Sequence, residues 1–270
     1  MKAFIAQWIP PIFSRIIRRA QAKRVFFDGW FDNWDEAISR CSGYAQENIS
    51  NQVLEASLLV SQGKAIFERD SVIFNEIQYS WPLLTGLMWA AAHNQGELRV
   101  LDFGGALGTS YFQNLKFLRH LKNVEWSIVE QKNFVVLGQQ HLQNDTLKFY
   151  NSISDLSAER QTNAVLLSSV MQYLPEPYEI LDKLLGENPS VIIFDRTSFI
   201  NSGDKDKIRI QNVPKEIYKA SYPCWFLSKP KLCNYLIDRG YKVLEDFNSD
   251  ENLDKFATWG GMILIRERND

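Results

Sequence analysis

The stretch RVLDFGGALGTS, residues 99–110, decides the fold of this chain. Its first part, Arg99–Phe103, is mostly apolar and predicts a buried strand. The small residues that follow predict a tight turn into a helix over Thr109–Leu121. Glycine lets the backbone turn sharply and approach a ligand closely, and the free amides at a helix start favour an anionic or polar group. Some glycine loops only turn the chain, so the interpretation depends on the surrounding sequence.

Strands and helices alternate from this point to the end of the chain, which predicts βαβ units and a parallel sheet. The other predicted strands are Val124–Val129, Leu147–Tyr150, Ala164–Leu167, Val191–Phe194, Tyr241–Phe247 and Thr258–Arg266, and the later helices are Phe134–Leu142, Pro177–Leu185 and Lys229–Arg239. The last two strands follow each other without a helix, so we expect them to be antiparallel. The predicted fold class is α/β, a Rossmann-like three-layer sandwich.

An acid at the end of the second predicted strand points to a nucleoside ligand. Glu130 lies 22 residues after Gly108, where a carboxylate can accept hydrogen bonds from both ribose hydroxyls; a solvated acid at a strand end is the alternative. A nicotinamide loop would read G-x-G-x-x-G, and Ala106 breaks that spacing. Asp102 would repel a pyrophosphate but suits the positive ammonium and sulfonium of S-adenosylmethionine, which is therefore the predicted cofactor.

The same loop resembles a known family. Asp102, Gly104 and Gly108 match the D-x-G-x-G-x-G loop of class I S-adenosylmethionine-dependent methyltransferases, with Ala106 in place of the middle glycine. Residues 101–111, 129–131, 167–177, 194–197 and 221–225 also resemble a bacterial family of methyltransferases with unassigned substrate, often associated with surface-polysaccharide gene sets. The resemblance covers roughly Trp81 to the C-terminus. It implies a seven-stranded, mostly parallel sheet whose last strand is antiparallel.

The resemblance also implies a set of cofactor-binding residues. They are Asp102, Gly104, Gly105 and Gly108 at the methionine end, Glu130 and Gln131 at the ribose, Ser152 at the adenine, and Ser168 and Ser169 near the transferred methyl group. Many relatives place an aspartate after the third strand. This chain has Asn151-Ser152-Ile153 there, so adenine recognition by Ser152 or by the backbone stays open.

Substrate residues are expected beyond the carboxyl ends of the strands, where open α/β sheets bind ligands. Asp195 is the candidate proton acceptor and Arg196 the candidate anchor for an acidic group; alternatively, the two only tie down the loop at residues 201–207. Four further residues are predicted to contact the acceptor: Gln172, Tyr173, Tyr222 and Trp225. The last two belong to an aromatic-rich insertion at about residues 208–228, which is either a lid over the pocket or a packed corner.

The chain is expected to have two parts. Residues 1–97 form a helical extension or cap, with a helical pattern over Trp34–Phe67 and a buried helix beginning at Pro82, and residues 98–270 form the methyltransferase domain. Within residues 1–24, six basic residues and helically spaced apolar ones predict an amphipathic helix. That helix rests either on anionic lipid, as a peripheral membrane contact, or on its own domain.

Composition narrows the function further. Among 270 residues, the formal charge of −2 argues against a nucleic-acid partner, and no apolar stretch approaches the roughly 20 residues of a membrane span. Three cysteines without a CxxC pair argue against a zinc site and indicate reduced thiols in a cytoplasmic protein; no metal is expected.

Three functional interpretations remain. The leading one is methyl transfer to a hydroxyl of a saccharide or saccharide-linked intermediate, with a small-molecule or glycan acceptor as the partner. The alternatives are a non-catalytic scaffold or binding subunit that keeps the fold, and a nicotinamide-dependent sugar oxidoreductase or epimerase. The sequence does not indicate an oligomeric state.

Overall fold

The N-terminal part of the chain contains short helices and strands. The computed structural model describes residues 25–41, 46–213, 220–249 and 254–267, apart from the side chains of 46–49. The predicted helix within residues 1–24 lies outside the described residues. The elements before the glycine loop are β1 (Phe26–Phe31), α1 (Trp34–Ser39), α2 (Gln46–Ser61), β2 (Phe67–Arg69), β3 (Val72–Phe74) and α3 (Trp81–His93).

The rest of the chain alternates strands and helices before it ends in two hairpins. The elements are β4 (Glu97–Phe103), α4 (Thr109–Leu118), β5 (Asn123–Val129), α5 (Lys132–His141), β6 (Leu147–Tyr150), α6 (Ile153–Ser157), β7 (Ala164–Ser168), α7 (Pro177–Gly186), β8 (Val191–Ile200), β9 (Lys207–Val213), β10 (Ala220–Phe226), α8 (Lys229–Ile237), β11 (Tyr241–Asn248) and β12 (Ala257–Arg266). A 3₁₀ turn at Met171–Tyr173 follows β7.

Seven of these strands form the main sheet, in the spatial order β11-β12-β8-β7-β4-β5-β6. Strands β4, β5, β6, β7 and β8 run parallel to one another, whereas β12 is antiparallel to both β8 and β11. The predicted fold class, with a reversed last strand, is confirmed.

Alternate residues of β4 show how the three layers form. Val100 packs into the cluster on the face covered by α2, α3, α4 and α5, and Leu101 packs into the cluster on the face covered by α6, α7 and α8. Successive side chains of a strand point to opposite faces, so both being buried places helices on both sides. Burial of each such side chain contributes about 1.5–3 kcal/mol.

The extension contains strands as well as the predicted helices. The helical pattern over Trp34–Phe67 is realised as α1 and α2, but β1, β2 and β3 were not predicted. Strands β2 and β3 have three residues each, too few for alternation to be recognised. They pair as a hairpin whose turn residues Asp70 and Ser71 are both left-handed, with φ of 51° and 66°.

The aromatic-rich insertion is a packed second sheet. Its strands β9 and β10 form an antiparallel hairpin, and β1 pairs with the other edge of β9. Phe27 of β1 packs on Phe226 of β10, with ring centroids 5.2 Å apart, and both lie against Trp259 of the main sheet. The alternative of a packed corner therefore describes this segment better than a free lid.

Strand β8 is longer than predicted, and this moves the candidate catalytic residues. The expected end was Phe194, but the strand continues to Ile200 because its second half pairs with β12. Asp195 and Arg196 therefore lie within the strand and not in a loop after it. The second half of β8 was not predicted as strand because it contains several polar residues, whereas a strand covered on both faces is expected to be apolar throughout.

Within the described ranges, none of the helices is long and apolar enough to cross a membrane.

Candidate functional site

The glycine loop turns at the carboxyl end of β4 through three left-handed residues. Gly104, Ala106 and Gly108 have φ of 71°, 48° and 97°. The loop then closes over Asp102, because a Cβ on Gly105 would lie 2.5 Å from that carboxylate. Glycine at residue 105 is thus required by the buried acid beneath it.

The backbone of Ala106 is strained, because the left-handed region raises the conformational free energy of a residue with a Cβ by roughly 1–2 kcal/mol. We expect Ala106→Gly to raise the free energy of unfolding by about 0.5–1 kcal/mol, after the greater entropy of glycine in the unfolded chain is subtracted. Ala92→Gly is the control, since the same change in helix α3 should lower stability by about 1 kcal/mol. Urea unfolding of the two variants measures both; equal destabilisation by both changes would contradict the strain.

Asp102 is a buried acid with one oxygen unsatisfied. It is 1% exposed, and Trp126 Nε1 donates to its Oδ2 over 3.0 Å. Its Oδ1 has no hydrogen-bond partner among the described residues. Burial raises the pKa of Asp102 to about 7, against the Trp126 hydrogen bond; nearby Glu130 raises it further and Arg196 lowers it. A buried carboxylate with an unsatisfied oxygen favours a hydrogen-bond donor or a positive charge as its ligand.

Glu130 follows β5 and is tied to the glycine loop. Burial raises the pKa of Glu130, opposed by the backbone amides of Gln131 and Ala106, and the Gln131 N–H donates to Oε1 over 2.9 Å. The contact with the Ala106 amide places the Glu130 carboxylate beside the loop. Gln131 contributes its backbone to this arrangement, while its side chain is exposed.

The predicted catalytic pair forms an ordered polar cluster with its neighbours. Asp195 accepts hydrogen bonds from Ser80 Oγ (2.9 Å) and Ser168 Oγ (2.8 Å), and Arg196 Nε lies 3.4 Å from Asp195 Oδ2. Arg196 Nη2 also donates to Ser168 Oγ over 3.2 Å. These contacts tie β7, β8 and the start of α3 together, not the loop at 201–207. The contacts orient the Asp195 carboxylate, and its assignment as proton acceptor stays a prediction.

The predicted acceptor residues are brought together in part. Gln172 is fully buried and its Nε2 donates to Ser169 Oγ (3.3 Å) and to the Arg196 carbonyl (3.1 Å), while its Oε1 has no partner in the described part of the chain. Tyr173 donates to Gln211, which donates to the Tyr222 hydroxyl over 3.2 Å. The last three side chains join the 3₁₀ turn after β7 to strands β9 and β10 of the second sheet.

Two other predicted site residues, Trp225 and Ser152, are hydrogen-bonded to other residues of the chain. Trp225 donates to the Leu174 carbonyl over 2.9 Å and stacks on Trp34, which makes it part of the packing between the extension and the second sheet. Ser152 caps helix α6 by accepting from the Asp155 N–H over 3.1 Å. Their roles toward a ligand remain predictions.

Sequence reasoning missed Ser80, Trp126 and Glu68 as neighbours of the site. Ser80 and Trp126 bond the two buried aspartates, and Glu68 accepts a hydrogen bond from the Thr109 hydroxyl. No local pattern could have indicated these contacts, because each joins residues 24 or more positions apart. No group of three or more His, Cys, Asp or Glu side chains suited to a metal ion lies in the part of the chain that the structure describes.

Comparison with known proteins shows the fold. No protein-family model matches the sequence, and no curated protein sequence matches it either. The N-terminal domain of EvdMO1, whose structure was determined in the presence of SAH and D-fucose, is 14% identical; the match covers 74% of this chain and 90% of that one, with a TM-score of 0.50.

Two methyltransferases match more loosely. Magnesium protoporphyrin IX methyltransferase from Synechocystis PCC 6803, with bound SAM, is 14% identical over 84% of this chain and 100% of its own, with a TM-score of 0.46. CalS10, a SAM-bound amino pentose methyltransferase from Micromonospora echinaspora, is 10% identical over 70% and 93%, with a TM-score of 0.44. The EvdMO1 match and the strand order together show a Rossmann-like fold.

Proposed function

We propose that the chain binds S-adenosylmethionine and transfers its methyl group to a hydroxyl of a saccharide or saccharide-linked acceptor. The observation that carries the proposal is the buried carboxylate of Asp102 with the partly buried carboxylate of Glu130, both beside a glycine loop at the carboxyl edge of the sheet. One oxygen of Asp102 lacks a partner among the described residues. A ligand with a positive charge at one end would balance the charge of Asp102, and its ribose hydroxyls would donate hydrogen bonds to Glu130.

The charge around the loop favours this cofactor over a dinucleotide. Glu130 already raises the pKa of Asp102, so negative charge accumulates at the loop. The nearby cation, Arg196, is paired with Asp195. A pyrophosphate would add further negative charge in a buried region where Coulomb interactions are strong. A nicotinamide cofactor therefore fits these residues poorly.

The residues of the chain would bind and orient more than they would ionise the acceptor. S-adenosylmethionine, when bound, supplies a methyl group on a positively charged sulfur. Glu130 would accept hydrogen bonds from the ribose, and ionised Asp102 would balance the positive charge. The cluster around Asp195 would hold the carboxyl end of β7, strand β8 and the start of α3 together, and correct placement of an acceptor can supply much of the rate of such a transfer.

The contact between the 3₁₀ turn after β7 and the second sheet supports the proposal of a saccharide acceptor. Tyr173, Gln211 and Tyr222 form a hydrogen-bonded row, and the rings of the two tyrosines meet at 5.3 Å. Aromatic faces next to amide and hydroxyl groups suit sugar rings, which are apolar on their faces and polar at their edges. The presence of D-fucose in the EvdMO1 structure is in keeping with this choice.

Calorimetric titration with S-adenosylmethionine and S-adenosylhomocysteine tests the cofactor. We expect binding to the full chain, and about tenfold weaker binding to Glu130→Gln, since a hydrogen bond to a charged acceptor contributes about 1.5–3 kcal/mol and the amide oxygen retains part of it. Glu125→Gln is the matched control, because Glu125 lies on β5, the strand that Glu130 follows. Its Oε2 is 3.9 Å from Arg160 Nε.

Two results would count against the proposal. Binding of NADH with no binding of S-adenosylhomocysteine would favour the oxidoreductase alternative. Tight binding of S-adenosylhomocysteine with no methyl transfer to any saccharide tested would favour a non-catalytic scaffold that keeps the fold.

A further inference from the structure

We propose that Glu68, on strand β2 of the N-terminal extension, binds the ammonium group of the methionyl end of S-adenosylmethionine. This inference rests on the proposed function and deepens it, because it assigns one end of the methyl donor to a residue outside the seven-stranded domain. The extension would then complete the cofactor site.

The position of Glu68 beside the glycine loop is the first support. Thr109, which directly follows Gly108 of the loop, donates its hydroxyl proton to Glu68 Oε1. One turn further along α4, Gln113 donates to the carbonyl of Gln78, which lies between β3 and α3. The extension therefore covers the first turn of α4 and holds one carboxylate at the point where the loop becomes a helix.

The second support is an unsatisfied oxygen. Glu68 is only 2% exposed, and its Oε2 has no hydrogen-bond partner among the described residues. Burial raises the pKa of Glu68, opposed mainly by the Thr109 hydroxyl; Asp70 raises it slightly, and the Ser71 amide and Arg69 lower it. A buried acceptor without a hydrogen bond is unfavourable, so a ligand that donates to Oε2 would be stabilised by this oxygen.

The third support is the different position of Asp102 and Glu68 relative to the glycine loop. Asp102 lies under the loop, where the Gly105 backbone covers its carboxylate. It can act on a ligand through its charge, while direct contact is hindered by the loop. Glu68 comes from a separate strand, β2, and contacts Thr109, the residue after Gly108. An ionised carboxylate only accepts hydrogen bonds, and an ammonium only donates them, so the cationic amino group is the part of the methyl donor that matches Oε2.

The test compares two ligands that differ only at the amino-acid end. S-adenosylhomocysteine carries the amino-acid group, and 5′-methylthioadenosine keeps the adenosine and the sulfur but lacks it. Both are titrated calorimetrically into the full chain, Glu68→Gln and Glu76→Gln. Glu76→Gln is the control, because Glu76 is an exposed acid in the segment after β3.

We expect Glu68→Gln to weaken S-adenosylhomocysteine about tenfold, as for one charge-assisted hydrogen bond, and to leave 5′-methylthioadenosine within about twofold. The ratio of the two affinities does not depend on the folded fraction, so a partly unfolded variant still gives an answer. An unchanged ratio in Glu68→Gln, with both ligands bound, overturns this inference alone. Failure of the unmodified chain to bind either ligand overturns the proposed function.

Discussion

Asp102→Asn should weaken S-adenosylmethionine binding about 100-fold near pH 7.5, because a buried charge opposite the cationic end of the ligand contributes on the order of 3 kcal/mol. Asparagine keeps the shape and can still accept from Trp126 Nε1, so the loss reports the charge and not the packing. For the unmodified protein, affinity should rise with pH through about 7 as Asp102 becomes ionised. The variant should show a weaker dependence on pH.

The same substitution should stabilise the ligand-free protein. Because the pKa of Asp102 is raised to about 7 from 3.8 on folding, the folded state binds a proton that the unfolded state has released. This contribution to stability is present below pH 3.8 and is lost as pH rises through 7. The full size of this pH-dependent contribution is about 4 kcal/mol. We expect Asp102→Asn to raise the free energy of unfolding near pH 7.5 by about half of that amount, because the amide hydrogens of the new asparagine lack partners.

Urea unfolding at pH 5 and pH 7.5, together with calorimetry, measures both effects of Asp102→Asn. Stabilisation at pH 7.5 should exceed that at pH 5, where the aspartate is already largely protonated. Asp145→Asn, in an exposed turn, should change neither binding nor stability. Equal affinity of Asp102→Asn and the unmodified chain for S-adenosylmethionine would remove the charge argument for the cofactor.

Arg209→Ala should destabilise the protein by about 3–5 kcal/mol, because it leaves a buried carboxylate without its partner. Arg209 Nη1 lies 2.6 Å from Asp254 Oδ2, and the two side chains are 10% and 11% exposed. The guanidinium also donates to the carbonyls of Gly29 (3.0 Å) and Phe27 (2.7 Å). Its contacts join β9, β1 and the segment before β12 at one point.

Local hydrogen exchange separates this effect from general loss of stability. The amides of β1, residues 26–31, should exchange faster in Arg209→Ala than those of the central strand β4. Lys207→Ala is the matched control, since Lys207 lies on the same strand and pairs with the exposed Asp32 at 2.5 Å; it should leave the unfolding midpoint nearly unchanged. Equal midpoints for the two variants would contradict the role assigned to Arg209.

Local patterns were sufficient to predict the main sheet. The predicted strands Val124–Val129 and Leu147–Tyr150 coincide with β5 and β6 almost to the residue, because β-branched, aromatic and other apolar residues predominate in both segments. The reversed last strand followed from the missing helix between β11 and β12. The loop acids were also readable, since Asp102 and Glu130 each stand at a strand end where parallel sheets bind ligands.

The second sheet could not be predicted in the same way. Strand β1 pairs with β9, so that Phe27 lies opposite Gln211, and nothing local in either segment specifies a partner so far along the chain. The end of β8 was misplaced for a related reason: Asp195 and Arg196 are polar, yet the strand continues past them because residues 197–200 pair with β12. Pairing partners, unlike burial, leave no periodicity in the sequence.

By itself, then, the sequence determined the order of strands and helices, the turn at Gly104–Gly108 and the acids that flank it, because each depends on the burial or conformation of neighbouring residues. Only the tertiary structure decided which distant groups meet: Glu68 with Thr109, Ser80 with Asp195, and Arg209 with Asp254. These contacts join residues 41 or more positions apart in the chain, and the partner of a buried charge is chosen by three-dimensional proximity, which no local pattern records.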